Sequence, residues 1–382
     1  MASTLSSVAL RDADTEALAA LETPCYVFDP ATVIEDHARL RAELGTPVVV
    51  SMKANPVLDL LVRCNHAFTD GIEIASLGEL NVTVGRMTVP RYVNTPALDA
   101  TLAAAALACR ATLIIDGPQQ LALVREVAAK ARGPLRIGLR INAGALLESP
   151  ERQRDHFGMD LDTLWSMLDA LKDDPLKIAG LHVFAGSNSF GDCAVPIAER
   201  MANLVADVRG HAGAALEFVN LGGGIPANWR EAGLDFAPYR AALARLQQQP
   251  VTVMHEAGRA VFSRGGAFLT RVLATRSVGG RAVAVCDGGM AQCFALAQTE
   301  NFVKKPAQPR RVPLAAEADA SVPAGPTLLV GSSCNKADRI GQLDGEPANV
   351  GDLLVFDHCG AYHSYSPTGF LNLRGAQRYI AS

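Results

Sequence analysis

The chain has 382 residues, of which 49% are hydrophobic, and a formal net charge of −4 at pH 7. This length exceeds the size at which single hydrophobic cores usually stop growing, so two domains are expected. The charge is modest and no basic tract is present, which argues against nucleic acid or an anionic membrane as a partner.

Other simple classes are also disfavoured. No apolar run is long enough to span a bilayer, and the first twenty residues carry several charges instead of an apolar signal core. The eight cysteines are scattered and form no CxxC pair, so a zinc or thioredoxin-like site is a weak interpretation and no metal is expected. Dispersed cysteines in a chain of this size fit a reducing cytoplasm, which is the expected location.

The middle of the chain alternates strand-like and helix-like segments. Short apolar runs predict strands at residues 48–53, 71–76, 91–94, 112–116, 135–142, 180–186, 217–222 and 251–256. Apolar periodicity predicts helices at residues 58–65, 98–108, 119–131, 161–171, 194–210 and 238–248. This alternation favours an α/β fold, a (β/α)8 TIM barrel. The alternative is an open doubly wound sheet, but its nucleotide-binding signature is missing near the first strand.

Beyond about residue 265 the helical periodicity fades. Short strands are predicted at residues 267–275, 281–286, 327–330 and 352–357. Residues 304–326 are rich in proline and alanine and predict an irregular connection. We therefore expect a barrel domain at residues 30–264. A mainly β domain, barrel-like or sandwich-like, is expected from residues 1–29 and 265–382.

Lys53 ends the first predicted barrel strand. The apolar run at residues 47–50 predicts a buried segment, where an unpaired ammonium is strongly unfavourable. Burial lowers the pKa of an amine, and the neutral amine is the form that attacks a carbonyl. The lysine therefore suggests a Schiff base. The alternative, about equally favoured by this segment alone, is a strand-end lysine whose head reaches solvent.

Polar and glycine-rich residues follow the other predicted strands, at the face where a barrel holds its active site. They are Ser76, Arg140, Ser187, Gly222, Gly223, Gly224, Glu256, Gly258 and Arg259. Successive glycine amides can encircle an anion, and an arginine on the next strand end adds positive charge, so a phosphate cup is favoured over a plain turn. A Schiff-base lysine and a phosphate cup together imply pyridoxal phosphate. Glu256 is the candidate partner of its pyridine nitrogen, unless this carboxylate simply pairs with Arg259 or Arg264.

The second domain carries two further candidates. Cys334 lies in a polar, glycine-bounded loop and is a candidate general acid, although a lone cysteine more often serves packing. Tyr362 follows another predicted strand and either reaches a phosphate or caps a domain interface.

Ten short motifs in a fixed order carry a family resemblance. They are Tyr-Val-Phe-Asp at 26–29, Met-Lys-Ala-Asn at 52–55, the run at 71–79, Leu-Arg-Ile-Asn at 139–142, His-Phe-Gly at 156–158, Leu-His-Val-Phe-Ala-Gly-Ser at 181–187, the glycines at 222–224, Glu-Ala-Gly-Arg at 256–259, Cys334 with Asp338, and Gly-Ala-Tyr at 360–362. From about residue 24 to 370 the chain resembles the fold-type III pyridoxal-phosphate enzymes, the alanine racemase-like group. Alanine racemases lack the late Cys-x-x-x-Asp loop, so the ornithine and diaminopimelate decarboxylase branch is favoured.

The resemblance implies a role for each matched residue. Lys53 would carry the cofactor, Glu256 would face its pyridine nitrogen, and Cys334 would protonate the substrate's α-carbon after carbon dioxide leaves. Further cofactor contacts are expected from Ser76, Arg140, His182, Phe184, Ser187, Gly222, Gly223, Gly224, Gly258, Arg259 and Tyr362. Substrate contacts are expected from Asn335 and Asp338. In this family the cysteine reaches the site of the other subunit, which implies a homodimer with shared active sites.

Three positions depart from the family pattern. Phe184 replaces a histidine that stacks on the cofactor ring, and His182, two residues earlier on the same strand face, is an alternative ring contact. Ala257 replaces a proline, which should be tolerable. Asn335 stands where decarboxylases of basic amino acids have an acid that binds the distal ammonium. The substrate's distal group is therefore expected to be neutral, polar or acidic.

The leading expectation is a decarboxylase of a citryl-conjugated amino acid in siderophore biosynthesis, acting on a substrate such as citryl-diaminopropionate or citryl-serine. A diaminopimelate, ornithine or lysine type of decarboxylase is the first alternative, and an amino-acid racemase is the second. A non-catalytic protein that carries pyridoxal phosphate is the third, and it predicts a barrel without the β-rich domain.

Overall fold

The structure is a computed structural model. It describes residues 3–5, 15–130, 136–149, 151, 155–172, 174, 176–212, 215–296, 307–314, 323–345, 347–363 and 370–381. The chain divides into two compact units, Glu35–Val261 and a second unit made of Met1–Ile34 with Phe262–Ser382. No helix among the described residues is both long and apolar enough to cross a membrane.

The amino-terminal segment contributes three short elements to the second unit, and a helix leads from it into the first unit. These elements are β1 (Ser3–Leu5), α1 (Thr15–Ala19), β2 (Cys25–Phe28) and α2 (Pro30–Leu44). Strand β2 is buried along its whole length, as its apolar sequence predicts.

The first unit is a closed barrel of parallel strands within the described residues. Its eight strands are β3 (Val48–Ser51), β4 (Ile72–Ile74), β5 (Arg91–Asn94), β6 (Thr112–Ile115), β7 (Arg136–Asn142), β8 (Lys177–Phe184), β9 (Phe218–Asn220) and β10 (Thr252–Ala257). The helices are α3 (Leu58–Cys64), α4 (Leu77–Thr83), α5 (Ala100–Ala108), α6 (Pro118–Lys130), α7 (Ala143–Leu146), α8 (Leu161–Leu171), α9 (Phe190–Ala212), α10 (Ala237–Gln247) and α11 (Arg259–Phe262). Because β10 pairs with β3, the ring closes. The predicted TIM barrel is confirmed, and the open-sheet alternative is wrong.

An apolar layer fills the interior of the barrel. Its members are Val49, Tyr92, Ile114, Ala179, Phe218 and Met254. Two glycines make room for the Phe218 ring, since a Cβ would lie 2.6 Å from the ring at Gly180 and 3.1 Å from it at Gly138. A Cβ at Gly71 would likewise lie 3.0 Å from Tyr92. Side chains two residues apart on a strand share a face. The residues two positions after these apolar residues and glycines therefore form the next level of the interior.

The second unit is built mainly from β-strands, which confirms the predicted class of the second domain. Its remaining strands are β11 (Gly266–Val278), β12 (Arg281–Cys286), β13 (Arg310–Val312), β14 (Thr327–Val330), β15 (Arg339–Leu343), β16 (Leu353–Phe356) and β17 (Gln377–Ala381). Among the described residues they form a nine-stranded sheet in the order β1-β17-β2-β11-β12-β14-β15, and β16 pairs with β11 and β13. Short 3-10 turns lie at Phe294–Leu296 and Phe370–Asn372.

The prediction of an irregular connection at residues 304–326 is wrong in part. Strand β13 lies inside it and pairs with β16. Two of its three residues are arginines, so it carries no apolar pattern by which a strand is recognised. Residues 301–306 and 315–322 lie outside the described residues.

Candidate active site

Polar side chains form a second layer inside the barrel, on the carboxyl side of the apolar layer. Each comes two residues after an apolar-layer member or after a glycine beside it, and so shares its inward face. In strand order the eight positions are Ser51, Glu73, Asn94, Asp116, Arg140, His182, Asn220 and Glu256. All are buried except Asp116, which is half-buried. The interior therefore changes from apolar to charged at the end where barrels hold active sites.

Lys53 lies beyond the end of β3, in the 3-10 turn Met52–Ala54. Its Nζ donates to both carboxylate oxygens of Glu73, at 2.7 and 2.9 Å. The lysine side chain is 44% exposed, whereas that of Glu73 is 1% exposed. The prediction of a buried lysine is therefore wrong, because the turn carries Lys53 out of the barrel wall. The alternative, a strand-end lysine whose head reaches solvent, is correct, and it leaves the amine accessible at the barrel mouth.

Asn94 connects the lysine side of the polar layer with the rest of it. Its Nδ2 donates to Oε1 of Glu73 at 3.3 Å, and its Oδ1 accepts from Arg140 at 3.3 Å. Arg140 also lies 3.8 Å from the carboxylate of Asp116 and stacks over the Phe157 ring at 4.6 Å. Arg140 is thus held on three sides and adds fixed positive charge to the barrel interior.

Glu256 lies on β10, the strand that pairs with β3, and is 5% exposed. Its Oε1 accepts from His182 Nε2 at 3.0 Å and from Asn220 Nδ2 at 2.8 Å. Burial acts to raise the pKa of Glu256, but His182, Lys53 and Arg140 outweigh it and lower that pKa to about 2. Glu256 is therefore an anion, as a partner for a protonated pyridine nitrogen must be. Its inward contacts do not fit the alternative of a simple pair with a neighbouring arginine.

The glycine loop, residues 222–224, packs directly on the backbone of adjacent strand ends. Gly222 and Gly224 have positive φ angles of 68° and 81°. A Cβ at Gly223 would lie 2.2 Å from the carbonyl oxygen of Glu256, and one at Gly224 would lie 2.6 Å from that of Gly186. Side chains are thus excluded from the loop, and the amides of Gly223 and Gly224 are the ones that remain for an anion, since that of Gly222 donates to Asn220.

Three other predicted phosphate ligands lie around this loop. Ser187 is exposed between β8 and α9, and its hydroxyl forms no hydrogen bond with the described residues. The first amide of α9 donates to the carbonyl of Gly224 at 3.2 Å, so a helix amino terminus, which favours anions, adjoins the loop. The amide of Glu256 donates to the carbonyl of Gly222 at 3.0 Å. Gly258 and the half-buried Arg259 follow β10 directly, so this bond places them next to the glycine loop.

Phe184 and His182 occupy different levels of the barrel. Phe184 is half-buried, and its Cδ2 lies 3.1 Å from where a Cβ of Gly222 would be. His182 is 0% exposed and bonds Glu256. The expectation that His182 contacts the cofactor ring is therefore not supported, and Phe184 is the better placed aromatic.

Ser76 is the amino-terminal cap of α4. Its hydroxyl accepts from the amide of Glu79 at 3.2 Å, and the Glu79 carboxylate accepts from the amide of Ala75 at 2.7 Å. The first bond caps the helix, and the second ties Glu79 to the residue before the cap. Ser76 therefore fixes the start of this helix, while its contact with the cofactor stays a prediction.

The cysteine loop belongs to the second unit. Cys334 and Asn335 are exposed, whereas Asp338 is 2% exposed. Oδ1 of Asp338 accepts from the amide of Met290 at 2.7 Å, and Oδ2 accepts from the amide and the hydroxyl of Ser333 at 3.1 and 2.6 Å. Because both oxygens are engaged, Asp338 folds the loop, while its contact with substrate stays a prediction.

Tyr362 also belongs to the second unit. It is half-buried and has a φ of 59°, a left-handed conformation that a bulky residue rarely adopts. The neighbouring His363 anchors this segment, because its ring lies 5.0 Å from the rings of both Tyr26 and Phe28. Backbone strain of this kind tends to occur at ligand sites, which is consistent with the predicted phosphate contact.

The barrel residues fit pyridoxal phosphate. The cofactor requires an amine, an acid for its ring nitrogen and a cup for its phosphate. Lys53 supplies the amine, and the glycine loop, packed too closely on neighbouring backbone for any side chain, supplies the amides of Gly223 and Gly224 for the phosphate. Oε1 of Glu256 takes both donors, whereas Oε2 has no hydrogen-bond partner among the described residues. One carboxylate oxygen thus stays available for the ring nitrogen.

Five residues of the polar layer are not predicted as site residues from the sequence. They are Ser51, Glu73, Asn94, Asp116 and Asn220. The signal that finds them is the period of two, because each is a polar residue two positions after an inward apolar residue or glycine. Asn220 matters most, since its Oδ1 accepts from the amide of Gly222 at 2.9 Å while its Nδ2 binds Glu256.

Comparison with known proteins agrees with this site. The family described as "Pyridoxal-dependent decarboxylase, pyridoxal binding domain" matches residues 30–263. The L-glutamyl-[BtrI acyl-carrier protein] decarboxylase of Niallia circulans is 25% identical over 373 residues, which covers 92% of this chain and 86% of that protein. The diaminopimelate decarboxylase of Actinosynnema pretiosum subsp. auranticum is 28% identical over 385 residues, with coverages of 91% and 82%.

Solved structures show the same fold. The diaminopimelate decarboxylase from Helicobacter pylori complexed with L-lysine has a TM-score of 0.83 at 19% identity, and the match covers 96% of this chain and 93% of that one. For the lysine/ornithine decarboxylase from Vibrio vulnificus complexed with putrescine, the TM-score is 0.77 at 19% identity, with 96% of each chain covered. Because the family match spans more than half of the chain and takes in Lys53, the glycine loop and Glu256, this protein belongs to the pyridoxal-dependent decarboxylases and removes carbon dioxide from an amino acid with pyridoxal phosphate as its cofactor.

Proposed function

We propose that this decarboxylase acts on an L-amino acid whose distal group is not a cation, with a citryl-conjugated amino acid of siderophore biosynthesis as the leading substrate. The side chain of Asn335 is the observation that carries the proposal. Its Oδ1 accepts from the amide of Ala337 at 2.9 Å, which fixes the orientation of the amide group. Its Nδ2 has no hydrogen-bond partner among the described residues. Asn335 therefore presents a donor, which suits a carboxylate, carbonyl or hydroxyl and not an ammonium.

The other proposed roles combine the family pattern with the geometry of the barrel residues. When bound, pyridoxal phosphate supplies an electron sink for the bond that breaks. Lys53 would hold its aldehyde carbon, and Oε2 of Glu256 would keep the proton on its ring nitrogen. The glycine loop, Ser187, Gly258, Arg259 and Tyr362 would bind its phosphate, while Arg140 would add positive charge near it and Phe184 would pack on its ring. Cys334 would return a proton to the α-carbon.

A homodimer is part of the proposal. Lys53 lies in the barrel unit, and Cys334 belongs to the second unit. We propose that Cys334 of the partner subunit completes each site, with residues 30–264 as the cofactor-binding domain and residues 1–29 and 265–382 supplying the cysteine loop. The eight cysteines are free thiols in the structure, which supports the cytoplasm as the proposed location.

Two other substrate classes have specific support. The Niallia circulans relative is named for a glutamyl group on an acyl-carrier protein, and such a group has no distal ammonium. It is thus compatible with Asn335 and is our second candidate. Several relatives are named diaminopimelate decarboxylases and one is an ornithine decarboxylase, so diaminopimelate, ornithine and lysine must be tested as well.

The test is a substrate panel with the purified protein and added pyridoxal phosphate. Release of carbon dioxide is measured with ornithine, lysine, diaminopimelate, citryl-diaminopropionate and a carrier-bound glutamyl group. We expect the highest kcat/KM with one of the last two. A clear preference for ornithine or lysine would contradict the proposal. Interconversion of enantiomers without carbon dioxide would identify a racemase, and binding without turnover a carrier of the cofactor.

A chemical test identifies the lysine that holds the cofactor. Borohydride treatment of the loaded protein should fix pyridoxal phosphate to the peptide that contains Lys53, as judged by mass spectrometry. Lys53→Arg is the control, because it keeps the positive charge beside Glu73 but removes the nucleophilic amine. Labelling at Lys130 or Lys336 would show that the assignment is wrong.

A further inference from the structure

His182 is the histidine of the polar layer. It lies on β8, is 0% exposed, and has its Nε2 3.0 Å from Oε1 of Glu256. A carboxylate oxygen accepts, so Nε2 must carry a proton. The other ring nitrogen, Nδ1, is buried and has no hydrogen-bond partner among the described residues. An orphaned buried nitrogen is unfavourable, and a leucine would pack here without it.

The contact with Glu256 explains why a histidine is placed there. Oε1 of Glu256 takes two donors, His182 and Asn220, and two donors fix the rotation of the carboxylate. Oε2 is then the oxygen left available. Donors to a carboxylate also stabilise its ionised form, and His182 is one of the groups that lower the pKa of Glu256. A carboxylate of low proton affinity leaves the proton on the base that it faces.

We propose that His182 is a positioning residue for Glu256: it holds the carboxylate ionised and turned so that Oε2 is available to the ring nitrogen of the cofactor. This proposal rests on the proposed role of Glu256. His182 would touch neither substrate nor cofactor. Phe184 lies beside the glycine loop, whereas His182 lies two residues earlier on β8, deeper in the barrel. Phe184 would thus supply the aromatic ring that stacks on the cofactor, and His182 would act on the cofactor only by holding Glu256.

The test reads the protonation of the ring nitrogen directly. The protein is loaded with pyridoxal phosphate labelled with 15N in the ring, and the 15N chemical shift is recorded beside the dissociation constant of the cofactor. In His182→Leu, Glu256 loses a donor and gains proton affinity, so the signal should move toward that of a neutral nitrogen. The dissociation constant should rise about tenfold, the effect of losing roughly one hydrogen bond to a charged group.

Two further variants separate positioning from packing. In His182→Gln the side-chain nitrogen can occupy the place of Nε2, so it should restore the signal at least in part. His255→Gln is the matched control. His255 is also buried, on β10, but it bonds Thr46 Oγ1 at 2.9 Å and the hydroxyl of Tyr239, and its replacement should leave the 15N signal unchanged. If His182→Leu does not fold, His182→Asn, whose shorter amide does not reach Glu256, takes its place.

The outcomes distinguish the positioning role of His182 from the role of Glu256 on which it rests. A moved signal in Glu256→Gln together with an unmoved signal in His182→Leu would overturn the role of His182 and leave that of Glu256 intact. An unmoved signal in Glu256→Gln would overturn the role of Glu256 itself. Equal effects of His182→Leu and His255→Gln would show a general loss of packing and overturn positioning.

Discussion

Replacement of Asn335 with aspartate should move the substrate preference toward amino acids with a distal ammonium. The change keeps the size of the side chain. One carboxylate oxygen can accept from the amide of Ala337, as Oδ1 of Asn335 does at 2.9 Å, so the turn should be retained. The other oxygen then replaces Nδ2, and a donor becomes a charged acceptor at an exposed position of the loop.

The size of the effect follows from the bond that is gained. A hydrogen bond between an ammonium and a carboxylate contributes roughly 1.5–3 kcal/mol, which corresponds to about ten- to a hundredfold in selectivity. The same substitution places a negative charge near any carboxylate of a citryl-conjugated substrate, so kcat/KM for that substrate should fall. The ratio of kcat/KM for a substrate with a distal ammonium to kcat/KM for the citryl-conjugated substrate should therefore rise by at least about ten- to a hundredfold.

The assay is carbon dioxide release by the wild type and by Asn335→Asp with lysine, ornithine and citryl-diaminopropionate. Asn335→Ala is the matched control, because it removes the donor without adding charge and should weaken the citryl substrate without favouring lysine. Thermal unfolding of both variants checks that the loop persists. An unchanged ratio in Asn335→Asp would refute the reasoning, because the side chain would then not face the distal end of the substrate.

Other predictions concern the catalytic groups and the fold. Glu256→Gln should retain the cofactor but slow decarboxylation, whereas Arg259→Ala should weaken cofactor binding; the reverse pattern would contradict the division of roles. A mixture of inactive Lys53→Ala and inactive Cys334→Ala proteins should regain part of the activity through heterodimers, and a failure despite proven subunit exchange would exclude shared sites. Burial lowers the pKa of His255 to about 3, from 6.5, although Glu256 acts in the opposite direction. The unfolded chain therefore binds the extra proton between these values, so stability is complete above about pH 6.5 and is lost toward pH 3, by about 1.4 kcal/mol per pH unit. His255→Gln should flatten this part of the pH dependence of the unfolding free energy, and an equally steep slope would show that another group titrates.

Most of the barrel could be predicted because each strand is a short apolar run between turns. Buried parallel strands such as β3 and β6 are hydrophobic on both faces, which marks them clearly in the sequence. Strand β13 could not be predicted in this way, because its arginines carry no apolar pattern and its place depends on pairing with β16, far along the chain.

The site was predicted less completely than the fold. Strand ends identify Lys53 and Glu256, since a barrel collects such ends at one face. Sequence position does not tell whether a residue leaves the barrel wall, so the sequence favours a buried and an exposed Lys53 about equally. Nor does it tell which atoms of a side chain are already engaged, so it does not show that Ser76 and Asp338 also fold their own segments.

The two ionisable ends of the site are connected by a residue that cannot ionise. Lys53 is paired with Glu73, and Glu256 is held by His182 and Asn220. Asn94 lies between these groups: its Nδ2 donates to Glu73 and is also 3.4 Å from Nε2 of His182. An amide fixes the distances between its neighbours but passes no proton between them. Asn94 therefore carries no proton between the lysine that would receive the cofactor and the acid that would face its ring, and Lys53 acts on Glu256 only by its charge across the polar layer.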